Sequence, residues 1–340
     1  MTQSKVESKD RHLGIEIEFS GVEPDRVLQS IQEIYGGTIK QKSVFEQQVI
    51  DSRVGDFTLE LDAQLLKQLV DSDSEQGSLK ALGENLLKSA AEQLVPWEVV
   101  TPPLPLSELA DCERLISTLR EQGALGTRHA VRYAFGLHLN PELPDLRATT
   151  IVSFLQAYLC LYDWIVEQEK VDLVRRMTPY IDHFPNEYID LVIDADYYKK
   201  QESSDNGTHS QPWIDDYLAY NPTRNRGLDC LPLIGHLNEE RVESLPEKEL
   251  IKPRPTFHYR LPNCDIDNPD WNLSFPWKLW LVVEKLANNR SALERFCLEF
   301  QNERQRLTHR IDSHWITQCE HLLNEFELAP KHLSDTLEQS

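Results

Sequence analysis

The chain has 340 residues, 40% of them hydrophobic, enough to bury a substantial core in one large domain or two ordinary ones. Asp and Glu outnumber Lys and Arg by 56 to 35, and the resulting formal charge of −21 repels phosphate backbones, which argues against nucleic acid and anionic membrane surfaces as partners. Residues 1–11 are polar, with no apolar leader core. No stretch approaches the roughly 20 apolar residues of a membrane span, and the six cysteines are scattered without a CxxC pair. The expectation is a cytoplasmic protein with reduced thiols, neither secreted nor membrane-embedded.

In chain order, residues 13–19 (LGIEIEF) alternate apolar and acidic positions over a run too short for a typical helix, the period of a strand. A helix is predicted from Pro24 and Asp25, with Val27, Leu28, Ile31, Ile34 and Tyr35 at helical spacing and a stop at Gly36-Gly37. Residues 38–50 read as a mixed polar strand region, 56–62 (DFTLELD) as an alternating strand and 78–93 as a helix. A short strand, WEVV, follows Pro96 and ends at Pro102-Pro103, where proline stops ladder pairing. A helix near 107–122 leads to RYAFGLHLN, another strand. The apolar segment 148–168 is predicted to be a buried helix, because Gln156, Tyr158 and Asp163 suit a core better than a bilayer. Residues 200–212 and 238–255 carry the composition of surface loops or lids. From Pro276 onward helical spacing dominates, with Leu307, Ile311, Trp315, Cys319 and Leu322 on one stripe that is most simply core packing.

Five of these strands set apolar residues against a carboxylate or an imidazole. Ile15, Ile17 and Phe19 oppose Glu16 and Glu18; Phe57, Leu59 and Leu61 oppose Glu60 and Asp62; Trp97 and Val99 oppose Glu98. Leu137 and Leu139 oppose His138 and Asn140, and Phe257 and Tyr259 oppose His258 and Arg260. Residues two apart in a strand share a face, so Glu16 and Glu18 lie about 7 Å apart on one surface. Any one of these strands alone is an ordinary half-buried strand with a charged solvent face. Paired in one sheet, they line its polar face with hard oxygen donors and two imidazoles.

This ordered set resembles the amidoligase family, within the superfamily of glutamine synthetase and glutamate-cysteine ligase. GIEIEF (14–19) is similar to the family's opening strand, whose two glutamates serve metal sites. The strand ending at Asp62 is similar to one whose aspartate precedes a short turn, PWEVVTPPL (96–104) to the element whose glutamate, here Glu98, is an acidic ligand, and FGLHLN (135–140) to the strand whose first histidine is His138. The family's second histidine is Asn140 here. The late strand, where a metal-binding glutamate is expected, reads His258-Tyr259-Arg260. Imidazole suits magnesium less well than a carboxylate does.

The resemblance implies an α+β fold, a curved and mostly antiparallel sheet with helices packed on one face, like the catalytic domain of glutamine synthetase. It would occupy residues 12–270, with a helical segment at 148–180 and a loop at 200–212, followed by a helical extension over 271–340. It implies an ATP-dependent ligase that joins a carboxylate to an amine on an amino-acid or peptide-like substrate through an acyl phosphate. Glu16, Glu18, Asp62, Glu98, His138 and His258 would hold Mg2+ or Mn2+. Arg260 and Arg226 would act in catalysis and, with Arg128, in binding ATP. Family members are often associated with glutamine-amidotransferase-like proteins, which implies such a partner. GxxxxGK[ST], a strand-linked GxGxxG and HExxH are absent from the sequence. Two alternatives remain at this level. The same carboxylates could serve a metal-dependent hydrolase or phosphotransferase, and the chain could be a degenerate ligase fold kept as a binding subunit.

Overall fold

The computed structural model describes residues 11–43, 45–61, 97–129, 135–172, 175, 181–204, 211–246, 248–306 and 313–330. The fold is α+β, with a mostly antiparallel open sheet and ten α-helices among the described residues. The chain divides into two compact units. The first comprises Met1–Glu142, Asp172–Thr178 and His258–Leu273, and the second Leu143–Val171, Pro179–Phe257 and Ser274–Ser340.

In the first unit, β1 (His12–Phe19) alternates half-buried and buried residues along its whole length, as its sequence predicts. Helix α1 (Pro24–Tyr35) begins with proline, whose missing N–H is no loss in the first turn, and buries Val27, Leu28, Ile31 and Tyr35. It ends at Gly36, whose φ of 75° is a left-handed value that side chains resist and whose N–H bonds to the Gln32 carbonyl at 2.8 Å. The polar region after it is a hairpin of β2 (Thr38–Gln41) and β3 (Glu46–Ser52), followed by β4 (Gly55–Leu61), β5 (Trp97–Val100), β6 (Leu104–Pro105), helix α2 (Leu109–Glu121), β7 (Leu137–Pro141) and β8 (His258–Tyr259). The helix predicted over 78–93 lies outside the described residues.

The strand order within this unit is β2-β3-β4-β5-β1-β7-β8, with β6 pairing β1, and every one of these pairings is antiparallel. The register aligns Leu59 with Val99 and Val99 with Ile17, so these fully buried residues form one apolar face. Helix α1 covers that face, with the Tyr35 and Phe57 rings 4.7 Å apart. Burying a side chain of this size contributes about 1.5–3 kcal/mol. A one-residue slip would turn the apolar set outward, so packing fixes the register and with it the residues on the opposite face.

The second unit is built on α3 (Ala148–Glu169), surrounded by α4 (Asn186–Val192), α5 (Ala195–Ser204), α6 (Pro212–Tyr220), α7 (Leu231–Leu237), α8 (Ser274–Ala287), α9 (Arg290–Gln305) and α10 (Ser313–Glu325). Contrary to the sequence reading, α3 is long and apolar enough to cross a membrane by length and composition, with a mean hydropathy of 1.3 over its most apolar window. Yet 89% of that window is buried within the protein, the setting of a core helix. Phe154 stacks on Trp280 at 6.0 Å, and Trp315 Nε1 donates to the Cys160 carbonyl at 3.0 Å. Trp315, Cys319 and Leu322 of the predicted stripe are buried, whereas Leu307 and Ile311 lie outside the described residues. The predicted loop at 200–212 is helical at both ends, in α5 and α6, with 205–210 outside the described residues.

Candidate functional site

The polar face of the first unit's sheet is assembled by strand register. Glu18 is the cross-strand partner of Glu98, and Glu16 of His138, so residues from β5, β1 and β7 fall in adjacent rows. Tyr259 pairs with Leu139 and sets His258 of β8 on the far side of β7. The side chains of Glu16, Glu18 and Glu98 are only 12–13% exposed, and those of His138 and His258 less.

His138 is the hub. Its Nδ1 lies 3.1 Å from Glu16 Oε2 and 3.7 Å from Glu98 Oε1, and its Nε2 lies 3.5 Å from Glu18 Oε1. Glu18 is aimed by its other oxygen, Oε2, which accepts the Gly136 N–H at 2.6 Å. Glu16 is held by Asn140, whose Nδ2 donates to Oε1 at 3.0 Å, and Asn140 Oδ1 lies 2.8 Å from His258 Nδ1. The His138 and His258 rings meet edge to face, 5.0 Å between centroids.

Two overlapping donor triads result. Glu16, His138 and His258 form one, and Glu18, Glu98 and His138 the other, each with one donor atom per residue within 4.8 Å of the others. Donors on opposite sides of one ion stand about 4 Å apart for magnesium and about 5 Å for calcium, so each triad has the span of a single cation site. Three carboxylates crowded into partial burial repel one another, and a multivalent cation is the species that relieves this. The donor chemistry therefore fits divalent metal.

Sequence-predicted residues outside this cluster are placed as follows. Asp62 lies outside the described residues. Arg260 directly follows β8 and is buried, with its carbonyl accepting from Arg175 Nη2 at 2.7 Å. Arg128 has a largely exposed side chain and pairs with Asp265 at 3.0 Å. Burial raises the Asp265 pKa against the pull of that guanidinium. Arg226 belongs to the second unit, where it donates to the carbonyls of His183 and Tyr220 and lies over the Phe184 ring at 5.7 Å. Burial lowers its pKa.

Two supporting residues escaped the sequence reading. Asn140 reads there as a departure from the family pattern, whereas in the fold it ties Glu16 to His258. Arg175 is buried against Gly136 and donates to the carbonyls of Phe135 and Arg260, joining the start of β7 to the residue after β8. The signal for it was Gly136, where any Cβ would run into the Arg175 guanidinium.

An α+β chain whose antiparallel sheet gathers carboxylates and imidazoles on one face has the makings of an enzyme built around a polar donor cluster. This chain belongs to the amidoligase family: the family described as "Putative amidoligase enzyme" matches residues 9–282, from before β1 into α8. Membership makes it a ligase-type enzyme. No curated protein and no solved structure matches it.

Proposed function

We propose that the protein is an ATP-dependent carboxylate-amine ligase of glutamine synthetase-like fold, forming an amide on an amino-acid or peptide-like acid. The observation that carries this reading is the convergence of Glu16, Glu18, Glu98 and His138 on one sheet face in a member of the amidoligase family. Amide formation needs the carboxylate activated, and phosphorylation by ATP supplies an acyl phosphate that the amine then attacks. Both ATP and the acid are anionic. Mg2+ or Mn2+ held by Glu16, Glu18, Glu98, His138 and His258, with Asp62 as a further ligand, would neutralise phosphate charge.

In this reading the carboxylates orient the cations, and Arg260 stabilises charge on the transferring phosphoryl group. Arg128 contributes to nucleotide binding. The donor side chains are at most 13% exposed, and this partial burial strengthens each electrostatic contact. A glutamine-amidotransferase-like protein is the partner proposed to accompany it, and the cytoplasm, where ATP is abundant, is the proposed location.

The test is a phosphate-release screen with ATP, Mg2+ or Mn2+, and a panel of acids and amines. Release that requires nucleotide, acid and amine together supports the ligase. Release from a phosphoester or from ATP without the other two supports a hydrolase on the same carboxylates.

A further inference from the structure

Arg128 is carried by a segment that the first unit's sheet holds close to Glu18. Leu125 pairs with Ser20, the residue after β1, through bonds of 3.0 and 2.9 Å. The Thr127 hydroxyl donates to the Phe135 carbonyl at 2.7 Å, and the N–H of that same peptide group, belonging to Gly136, donates to Glu18 Oε2 at 2.6 Å. One peptide group therefore separates Thr127 from a carboxylate of the donor cluster, and Arg128 is the next residue.

A second loop fastens this segment. The Thr127 N–H bonds to the Cys264 carbonyl at 2.8 Å, the Cys264 N–H to Thr127 Oγ1 at 2.9 Å and the Gly126 N–H to Asp267 Oδ1 at 2.9 Å. The approach leaves no room for a side chain at position 126, where a Cβ would run into the Cys264 carbonyl oxygen. These bonds set Asp265 against Arg128, whose Nη2 donates to Asp265 Oδ2 at 3.0 Å. The Arg128 side chain is 60% exposed and that of Asp265 only 11%. Among the described residues, Asp265 is the one group bonded to the Arg128 guanidinium, and Asp265 Oδ1 is buried with no partner. An ion pair with so exposed an arginine adds little stability, and a carboxylate oxygen buried without a hydrogen bond costs some. Holding the fold is thus a poor account of the pair.

We propose that Asp265 is a positioning residue, which tethers the Arg128 guanidinium by one N–H next to the Glu18 end of the donor cluster so that its remaining N–H groups take a phosphate oxyanion of the nucleotide. A guanidinium fork matches two oxygens of a phosphate. The tether removes in advance the rotamer freedom that a loose arginine would lose on binding.

This inference rests on the reading of the polar face as a nucleotide-binding centre, and the experiment separates the two. A non-hydrolysable ATP analogue with Mg2+ is titrated by calorimetry into full-length wild type, Arg128→Gln, Asp265→Ala, Asp265→Asn and the double variant Arg128→Gln/Asp265→Ala. Loss of the charged contact in Arg128→Gln should weaken binding by about 10–100-fold. Loss of the tether in Asp265→Ala should weaken it by about 3–10-fold, the worth of one long side chain's rotamer freedom. Asp265→Asn keeps an acceptor in the same place and should bind within about twofold of wild type. The double variant should be no weaker than Arg128→Gln, because Asp265 acts only through that guanidinium. Wild-type affinity in Arg128→Gln or in Asp265→Ala, or losses that multiply in the double variant, overturns the proposal and leaves the ligase reading standing. A wild type that binds no nucleotide overturns both. Circular dichroism checks each fold, and Asp265→Ser carries the same test if the alanine variant misfolds.

Discussion

Glu16 and His138 are cross-strand partners, and their Oε2 and Nδ1 atoms lie 3.1 Å apart. That one pairing joins the acidic strand β1 to the imidazole strand β7. It exists because Ile15 and Ile17 on β1 and Leu137 and Leu139 on β7 are fully buried on the other side, which leaves the register no alternative.

Replacement of Gly136 should be felt at the site through packing. A methyl group there overlaps the guanidinium of the buried Arg175, which must leave the carbonyls of Phe135 and Arg260. Gly136→Ala is expected to lower stability by about 1–3 kcal/mol, the usual cost of overpacking, in urea denaturation. A stability equal to wild type would show that Arg175 is readily displaced.

Glu113 supplies a pH-dependent prediction away from the site. Its carboxylate accepts the Leu273 N–H at 2.8 Å, but burial outweighs this bond and the Arg120 charge, and its pKa is raised. A carboxyl that binds its proton more tightly when folded contributes stability below its unfolded pKa, near 4.3, and loses it as pH rises through the folded value. Glu113→Gln keeps the acceptor without the buried charge. It should therefore raise the melting temperature at pH 7.5, with the gain shrinking as pH falls toward 4. A variant less stable than wild type at pH 7.5 would mean that the charge favours the fold.

All six cysteines are free and buried, and burial pushes the thiols of Cys112, Cys160, Cys230, Cys264 and Cys319 up in pKa. Thiolates are the reactive form. At pH 8 an aromatic disulfide reagent should label fewer than one thiol per native chain within minutes and all six in denaturant. Rapid native labelling of two or more would contradict the packing around α3, where Cys160 and Cys297 Sγ atoms stand 3.9 Å apart.

The sequence was most legible where one periodicity ran long enough to be unambiguous. β1 alternates over eight residues, and α1 carries proline, a helical stripe and a glycine stop, so both were readable with their exposed and buried faces. The 22-residue α3 was readable from its apolar length. β8 is two residues long, so the alternation of Phe257 and Tyr259 with His258 and Arg260 is a short signal that gained weight only in company with the other four strands. The helices α4 and α7 span seven residues each, about two turns and too short to establish a stripe, and α7 (LPLIGHL) is apolar nearly all round with a proline and a glycine within it. Arg175 could not be found from spacing at all, because its partners at Phe135 and Arg260 are 40 and 85 positions away.

The central claim is that the carboxylates of β1 and β5 hold the metal through which nucleotide binds. Its most direct test is calorimetric titration of a non-hydrolysable ATP analogue into wild type, Glu16→Ala and Glu98→Ala, each with Mg2+ or Mn2+ and again with chelator. The account predicts metal-dependent binding by wild type and at least about a hundredfold loss in both variants, comparable to or beyond the loss when a metal ligand's supporting partner is removed. Melting temperatures should be unchanged or higher, because each substitution removes one of several mutually repelling carboxylates. Nucleotide affinity that is equal in all three proteins, or indifferent to chelator, would contradict it.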